Sequence, residues 1–307
     1  MKTAFIYDGQ GNDDLLLGRD FYEKEELVRN LYDNCSTVFN VSKEVFSKDP
    51  IMLKTDKLQP SIFLQEMAIS LLLEKNGIKA DVVCGSSLGE FSALCYSGIL
   101  SIEDTLKILI KRGELMNNYL SKIDSGMNAI MFLDYDIVCE CVAKFNNCEI
   151  SNINSSGQVV ISGLSEDLEK CSNLCSELGA RRVIKLNVDG AFHSRFLQPA
   201  SNEFLEYIKD FKYDIAKIPM YFNYTGKCEI NDILELLSKQ LYSVVLFKDM
   251  IENMIDDGVD TFYEIGPGGN LSFHISSIAR SKGKKVVIYQ IKDYETYLNI
   301  LEKVNGE

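Results

Sequence analysis

The sequence alternates between short β-branched segments and longer amphipathic ones, and this order constrains the fold more than any other feature. The stretches 3–7 and 80–84 are short and apolar like buried strands, whereas 59–76 and 102–120 have helical periodicity. A crossover helix must follow a strand before a parallel neighbour can begin. The alternation therefore predicts an α/β fold built on a doubly wound parallel sheet.

One region interrupts this order. From 128 to 186 the pattern is strand, helix, strand, strand, helix, strand, with a Ser-Ser-Gly turn between the two middle strands. This βαββαβ order predicts a ferredoxin-like small domain at 126–190. The domain is inserted into a large domain that consists of 1–125 and 191–307.

Outside the insertion, the periodicity predicts further elements of the large domain. Helices are expected at 25–45, 230–242 and 247–257, and strands at 218–222 and 261–265. A Gly-Pro-Gly-Gly turn follows the last of these strands. The α/β alternation therefore resumes after the insertion.

Composition and charge exclude several classes of partner. Of 307 residues 46% are apolar, yet no segment approaches the roughly 20 consecutive apolar residues of a membrane span. The formal net charge of -13 opposes general binding to nucleic acid and to anionic membranes. We therefore expect no nucleic-acid partner and no membrane partner, and any anionic ligand must meet a local basic patch.

The nine cysteines indicate reduced thiols in the cytoplasm. Their number is odd and no Cys-x-x-Cys pair is present. The close pairs Cys139/Cys141 and Cys171/Cys175 have no nearby histidine or second spaced pair to complete a zinc site. We predict buried thiols and no metal site.

A Gly-x-Ser-x-Gly motif lies between a strand and a helix. Gly85-Ser86-Ser87-Leu88-Gly89 follows the strand at 81–84 and precedes a helix, which is the context of a nucleophile elbow. The glycine spacing selects Ser87 rather than Ser86 as the nucleophile. The amide of Leu88, at the helix N-terminus, can donate to an oxyanion. The motif predicts an α/β-hydrolase-like large domain that carries a serine nucleophile.

A serine nucleophile needs a base, and His193 and His274 are the two histidines of the chain. His193 follows the inserted unit at a re-entry loop, where functional residues concentrate. His274 lies on a predicted helix, where a core or solvated histidine is the simpler interpretation. The sequence favours His193 and leaves His274 as the alternative.

Further motifs occur in one order along nearly the whole chain. They are Gly9-Gln10-Gly11, Gln59-Pro60, the elbow through Glu90, Lys111 to Met116, Asn154 to Gly163, Ala191-Phe192-His193-Ser194 and Glu264 to Gly268. In this order the sequence resembles the malonyl-CoA:acyl-carrier-protein transacylases. The segment from Ala191 to Phe196 is most similar to the discrete, trans-acting acyltransferases of polyketide synthases, the disorazole synthase type.

The resemblance implies roles for particular residues. Ser87 is acylated, His193 is the base, the amides of Gln10 and Leu88 form the oxyanion hole, and Arg112 binds the malonyl carboxylate. Gln59 lines the same pocket, with a helix-capping residue as the alternative. Main-chain carbonyls orient the histidine in the family, which places them near Asn223 and Asp257 here. Asp189 is the alternative third member of a triad.

The implied reaction moves a malonyl group from malonyl-CoA to the phosphopantetheine thiol of an acyl carrier protein. Malonyl-CoA is a substrate and no cofactor is expected. The partners are the carrier protein and, by the finer resemblance, polyketide synthase modules. The alternatives are a proofreading, thioesterase-like acyl hydrolase and a non-catalytic carrier-docking module. Arg112 argues against the hydrolase, since it suits a dicarboxylic acyl group, and the Ser87/His193 pair argues against the docking module.

Three positions depart from the family pattern, and a fourth is expected to affect the choice of acyl group. Ser86 replaces a histidine of the acyl pocket, Asp8 replaces a proline, and Asn12 replaces a serine. Ser86 is smaller and cannot carry a charge, so the pocket is expected to differ in shape. Phe192, beside the catalytic histidine, is expected to favour malonyl over methylmalonyl because little room remains for an α-methyl branch.

Two basic groups are candidates for the docking of an acidic carrier protein. The first is Arg181, Arg182 and Lys185 in the small domain. The second contains Arg280, Lys282, Lys284 and Lys285 near the C-terminus, for which a solvated loop is the simpler interpretation. We predict docking at the first group.

Overall fold

The computed structural model describes residues 2–10, 17–46, 54–268 and 270–306. The strands are β1 (Thr3–Tyr7), β2 (Val82–Gly85), β3 (Ser125–Met131), β4 (Cys148–Ser155), β5 (Gln158–Leu164), β6 (Arg182–Lys185), β7 (Thr261–Ile265) and β8 (Val287–Ile291). The helices are α1 (Arg19–Lys24), α2 (Glu26–Cys35), α3 (Thr55–Lys75), α4 (Gly89–Tyr96), α5 (Ile102–Leu120), α6 (Tyr135–Val142), α7 (Ser165–Glu177), α8 (Gln198–Ile208), α9 (Ile233–Gln240), α10 (Phe247–Asp256), α11 (Leu271–Ser281) and α12 (Tyr294–Asn305).

A parallel sheet forms the centre of the larger region, in the strand order β2-β1-β7-β8. β1, β2 and β7 are buried along their whole length. Alternate side chains of β1 enter different cores: Phe5 and Tyr7 pack on one face, and Ala4 and Ile6 on the other. Helices cover both faces of such a sheet, which explains the continuous apolar runs of its strands. The α/β prediction is confirmed.

A separate antiparallel sheet has the strand order β4-β5-β3-β6. The elements follow the chain order β3, α6, β4, β5, α7, β6, as the βαββαβ pattern predicts. The core between this sheet and its helices includes Ile130, Val138, Ile161 and Leu168. The fold class of two distinct sheets is thus confirmed, whereas the domain limits at 126 and 190 stay a prediction.

Three predicted elements differ in the structure. The strand near 218–222 is reduced to isolated bridges at Met220 and Tyr221, because Pro219 has no N–H to donate and the chain turns back at Gly226. The stretch 25–45 is divided into α2 and a π-helical turn at Ser42–Phe46.

The start of α3 was also misplaced. Because α3 begins at Thr55, Gln59 and Pro60 lie inside the helix rather than before it, and the capping alternative for Gln59 is wrong. Two further helices, α1 and α12, form in segments for which no element is predicted.

The burial of most cysteines agrees with the prediction of buried thiols. All nine cysteines are free, and four of them are buried in the core of the antiparallel sheet: Cys141, Cys148, Cys171 and Cys175. Within the described ranges, no helix is long and apolar enough to cross a membrane. The same part of the chain contains no group of three side chains suited to hold a metal ion.

Candidate active site

The nucleophile elbow connects β2 to α4 in a tight turn. Ser87 has a positive φ of 53°, and the Oδ1 atom of Asn223 accepts its backbone N–H at 2.6 Å. A Cβ atom on Gly85 would lie 2.0 Å from the carbonyl carbon of Gly89, and one on Gly89 would lie 2.3 Å from the oxygen of Tyr7. Glycines on both sides are therefore required for the turn that exposes Ser87.

Ser87 and His193 form a hydrogen-bonded pair. The Oγ atom of Ser87 lies 2.7 Å from Nε2 of His193, and Nδ1 of His193 lies 2.8 Å from the main-chain oxygen of Gln240. Because a carbonyl oxygen can only accept, Nδ1 carries the ring proton and Nε2 is free to accept the serine proton. His193 also has a positive φ, 55°. The geometry suits a serine activated by a general base.

The electrostatic surroundings keep His193 neutral. Burial, and next the positive charge of Arg112, lower the pKa of His193 to about 3. A hydrogen bond to the Gln240 carbonyl opposes these effects without reversing them. The imidazole is therefore uncharged at neutral pH, which is the state that can take a proton from a serine.

The structure corrects the expected partner of the histidine. The carbonyl that orients His193 belongs to Gln240 and not to a residue near Asn223 or Asp257. Asp257 instead accepts a hydrogen bond from Tyr221, while Asp189 accepts one from Thr55 at 2.6 Å. Asp189 is thus not the third member of a triad. A main-chain contact leaves no side-chain signal in the sequence, so Gln240 was missed.

His274 is placed away from the elbow. It lies on α11, is buried, and its Nδ1 atom is 3.2 Å from the Oγ atom of Ser155. Burial lowers its pKa to about 4. Its ring packs against Phe247 and Phe273. The structure brings His193 to Ser87 and leaves His274 in the cavity wall.

Arg112 is fully buried beneath the elbow. Its Nη2 group donates to the Oγ atom of Ser87 at 3.1 Å and to Oε1 of Gln240 at 3.0 Å. Among the described residues, neither Nε nor Nη1 has a hydrogen-bond partner. Burial lowers the pKa of Arg112 to about 10, so it remains charged at neutral pH. A buried guanidinium with unused donors is suited to bind a carboxylate.

A cavity of about 530 Å³ opens between the two sheets and contains the pair. Its wall from the larger region includes the predicted residues Gln10, Gln59, Ser86, Ser87, Leu88, Phe192 and His193. The antiparallel sheet supplies the facing wall, which includes Met127, Asn152, Asn154, Gln158 and Ile184. The cavity thus lies where an acyl thioester can reach Ser87.

The remaining predicted site residues surround the pair. Leu88 occupies the N-cap of α4, where amides have no intrahelical acceptor. Gln10 lies three residues after the end of β1, and its side chain donates to Thr55 at 3.3 Å. The Oε1 atoms of Gln10 and Gln59 are buried without a partner in the part of the chain that the structure describes. Phe192 is buried beside His193.

Two of the departures from the family pattern lie at this site. Ser86 lines the cavity, and its main-chain oxygen is 3.0 Å from the Cβ that Gly9 would carry. Asp8 is buried at the cavity wall, and its Oδ2 atom accepts the N–H of Gly268 at 2.7 Å. Asp8 therefore connects the strand before Gln10 to the turn after β7. The third departure, Asn12, lies outside the described residues.

The contacts of Ser87 with His193 and Arg112 suit covalent acyl transfer. The family model for the acyl transferase domain matches residues 4–297. The chain belongs to this acyl transferase family.

Individual relatives are similar to this chain over almost its full length. The chain is 33% identical over 313 residues to the malonyl CoA-acyl carrier protein transacylase of Bacillus subtilis (strain 168), with 99% of this chain and 98% of the relative covered. The crystal structure of the transacylase of that name from Clostridium perfringens has a TM-score of 0.93 at 33% identity, and covers 100% of this chain and 98% of its own.

A second similar structure is a malonyl-transacylase in complex with its type II PKS acyl-carrier protein. Its TM-score is 0.92 at 25% identity, and the match covers 99% of this chain and 100% of that one. The predicted family is confirmed. The finer likeness to trans-acting polyketide enzymes stays a prediction.

Proposed function

We propose that the chain transfers a malonyl group from malonyl-CoA, through an ester on Ser87, to the phosphopantetheine thiol of an acyl carrier protein. The relatives of known name, similar over nearly all of the chain, support this reaction. The observation that carries the assignment is the contact of Ser87 Oγ with both His193 Nε2, at 2.7 Å, and Arg112 Nη2, at 3.1 Å. The first contact activates the nucleophile, and the second places a cation where the acyl group is attached.

In the first half-reaction His193 Nε2 takes the proton of Ser87 as Oγ attacks the thioester carbonyl. The amides of Leu88 and Gln10 are our candidates for the oxyanion hole. The C–S bond then breaks, the proton passes from His193 to the CoA sulfur, and malonyl-Ser87 remains. In the second half-reaction the carrier thiol attacks this ester, and the proton returns to Ser87 through His193.

Arg112 distinguishes this function from acyl hydrolysis. Its Nε and Nη1 donors are buried and unpaired among the described residues. An acyl group with a free carboxylate therefore gains charge-assisted hydrogen bonds there. A monocarboxylic acyl group, such as acetyl, leaves these donors unsatisfied. The site therefore favours a malonyl group, and the hydrolase is not favoured.

Both half-reactions exchange an acyl group between sulfur and oxygen without a change of oxidation state, so we expect no cofactor. The nine free thiols are consistent with a cytoplasmic enzyme. Polyketide and fatty-acid synthesis both use the malonyl carrier product, and modules of a polyketide synthase are the finer proposal for the partner.

Our proposed docking surface is the basic group on and beside β6. Arg181, Arg182 and Lys185 are exposed, and β6 is an edge strand whose Ile184 lines the cavity. The guanidinium of Arg181 lies 5.3 Å from the ring centre of Phe132. In the second basic group, Arg280 lies near the C-terminal end of α11, and Lys282, Lys284 and Lys285 follow that helix.

Intact mass spectrometry tests the proposal directly. The protein is incubated separately with malonyl-CoA, acetyl-CoA and methylmalonyl-CoA, and then with a holo carrier protein. We expect a malonyl adduct that is lost when the adduct appears on the carrier. Malonyl-CoA consumed to free malonate, with no transfer, would instead identify a hydrolase.

A further inference from the structure

A fully buried glutamate, Glu90, lies directly beneath the nucleophile and has no part in the mechanism above. It is in the first turn of α4, and its Oε2 atom accepts the backbone N–H of Asn223 at 2.5 Å. The Asn223 side chain in turn accepts the N–H of Ser87 at 2.6 Å and donates to the Gly85 oxygen at 2.6 Å. Glu90 thus supports the elbow through one intermediary.

A second chain of contacts connects the elbow to Arg112. Gln240 Nε2 donates to the main-chain oxygen of Ser87 at 2.6 Å, and Gln240 Oε1 accepts from Arg112 at 3.0 Å. Arg112 and Glu90 also act on each other through space, since each favours the charged form of the other. Glu90 and Arg112 are therefore the carboxyl group and the cation of one buried network around Ser87.

Substrate binding changes the balance of charge in this network. The free site has one guanidinium and one carboxyl group, and a malonyl group adds a second carboxylate. Two carboxylates near one buried cation leave an uncompensated negative charge, and such a charge is strongly destabilised when it is removed from water. A proton bound by one carboxyl group removes that charge.

We propose that Glu90 is a positioning residue that must be neutral for the carboxylate of a dicarboxylic acyl group to pair with Arg112, so that the ionised fraction of Glu90 takes up a proton when that group binds. This inference rests on the proposed function, and it concerns how the site accommodates the second carboxylate. The proton comes from solvent and returns to solvent when the malonyl group leaves for the carrier.

The titration of the surrounding groups agrees with this role. Burial raises the pKa of Glu90 to about 8, although the Asn223 hydrogen bond and the Arg112 charge oppose the rise. From β2, Cys84 also faces Glu90, and burial holds its pKa far above the usual value. His193 and Arg112 have pKa values of about 3 and about 10. Between pH 7 and pH 9, Glu90 is therefore the member of the network that titrates.

The protonation of Glu90 determines how the KM for malonyl-CoA changes with pH. If malonyl-CoA binds the form with neutral Glu90, its KM is constant below about pH 7 and rises above pH 8, as the competent fraction falls. For a pKa of about 8, the rise between pH 7 and pH 9 is about tenfold. Acetyl-CoA has the same ionisable groups on its CoA part but no free carboxylate. Its KM should therefore not rise over this pH range.

The experiment measures the ratio of the KM values for malonyl-CoA and acetyl-CoA between pH 7 and pH 9. We expect a tenfold rise of the ratio in the native protein and a constant ratio in Glu90→Gln, which retains an acceptor for Asn223. If Glu90→Gln weakens the contact with Asn223, the KM values for both substrates change alike, and their ratio is unaffected. Glu66→Gln is the matched control, because Glu66 is equally buried and bonds to Ser92 instead. Its ratio should rise as in the native protein.

A second measurement does not depend on the folding of Glu90→Gln. Calorimetry of malonyl-CoA binding to Ser87→Ala, in buffers of different ionisation enthalpy at pH 8, should show uptake of about half a proton, and acetyl-CoA should show none. Equal uptake for the two ligands, a flat native ratio, or a rise that persists in folded Glu90→Gln overturns the inference. Failure of the native protein to load malonyl at all contradicts the proposed function instead.

Discussion

The two sheets of the molecule differ in what they contribute to the same cavity. Three strands of the parallel sheet, β1, β2 and β7, are buried along their whole length, and the loops after β1 and β2 supply Gln10 and Ser87. The antiparallel sheet has an exposed edge strand, β6, and contributes side chains such as Asn152 and Ile184 to the cavity wall. The reacting groups thus lie on the larger region, while the antiparallel sheet lines the facing wall of the cavity. We therefore expect some mutations to change acyl loading on Ser87 and others to change carrier binding, with little overlap.

The largest expected effect is at the reacting pair. Ser87→Ala should abolish the malonyl adduct seen by intact mass, since the elbow then presents no nucleophile. His193→Ala should reduce loading severely because Ser87 loses its general base. His274→Ala is the matched control, and it should be the milder change. A malonylated Ser87→Ala protein, or greater damage from His274→Ala, would refute the assignment.

The next effect concerns acyl selection within the larger region. Arg112→Ala should weaken malonyl loading by about 2 to 4 kcal/mol, or roughly 30- to 1,000-fold, because two charge-assisted hydrogen bonds are lost. Acetyl loading should survive, as measured by the initial rate of adduct formation. Equal losses for the two acyl groups would show that Arg112 supports the fold rather than the carboxylate.

A smaller effect is expected for the α-methyl branch. The native protein should prefer malonyl over methylmalonyl by about 1 to 3 kcal/mol, and Phe192→Ser should reduce this preference by making room beside His193. The measurement is competition between equal concentrations of the two CoA esters. Ile184→Ser on the opposite wall tests the comparison between regions, and it should leave the preference unchanged. Equal loading by the native protein would contradict the role of Phe192.

The smallest effect should fall on the antiparallel region and on one half-reaction. Reversal of Arg181 and Arg182 to Glu should slow transfer to the carrier about three- to tenfold at low salt, and less at high salt, because the attraction is screened. Loading from malonyl-CoA should change little. Reversal of Arg280 and Lys284 makes the same charge change at the far end of α11. If that pair has the larger effect, docking occurs there.

Local signals made most of the fold and the reacting pair predictable. The elbow and the α5 helix are encoded by neighbouring residues, so the sequence places Ser87 and the bounds of α5 directly. The contacts of Ser87 with Asn223 and Gln240 join positions 136 and 153 residues apart. Nothing local predicts such pairs, and the same holds for the Gln240 carbonyl that orients His193.

Interruptions of regular structure were also beyond the sequence patterns. The apolar run at 218–222 looks like a strand, yet Pro219 and the turn at Gly226 leave only single bridges beside β2. The periodicity of 25–45 continues across the break between α2, which ends at Cys35, and the π-helical turn at Ser42–Phe46. In both cases an apolar pattern identified buried residues correctly but could not specify their backbone hydrogen bonds.

The left-handed backbone at Ser87 and His193 sets stability against activity. Each position has a φ near 55°, which costs an L-residue about 1 to 2 kcal/mol and a glycine almost nothing. Selection for heat resistance alone would therefore favour glycine at these two positions, and each replacement would remove a reacting group. Directed evolution for higher thermal stability must therefore also select for acyl transfer in every round. Otherwise it enriches variants that are stable but inactive.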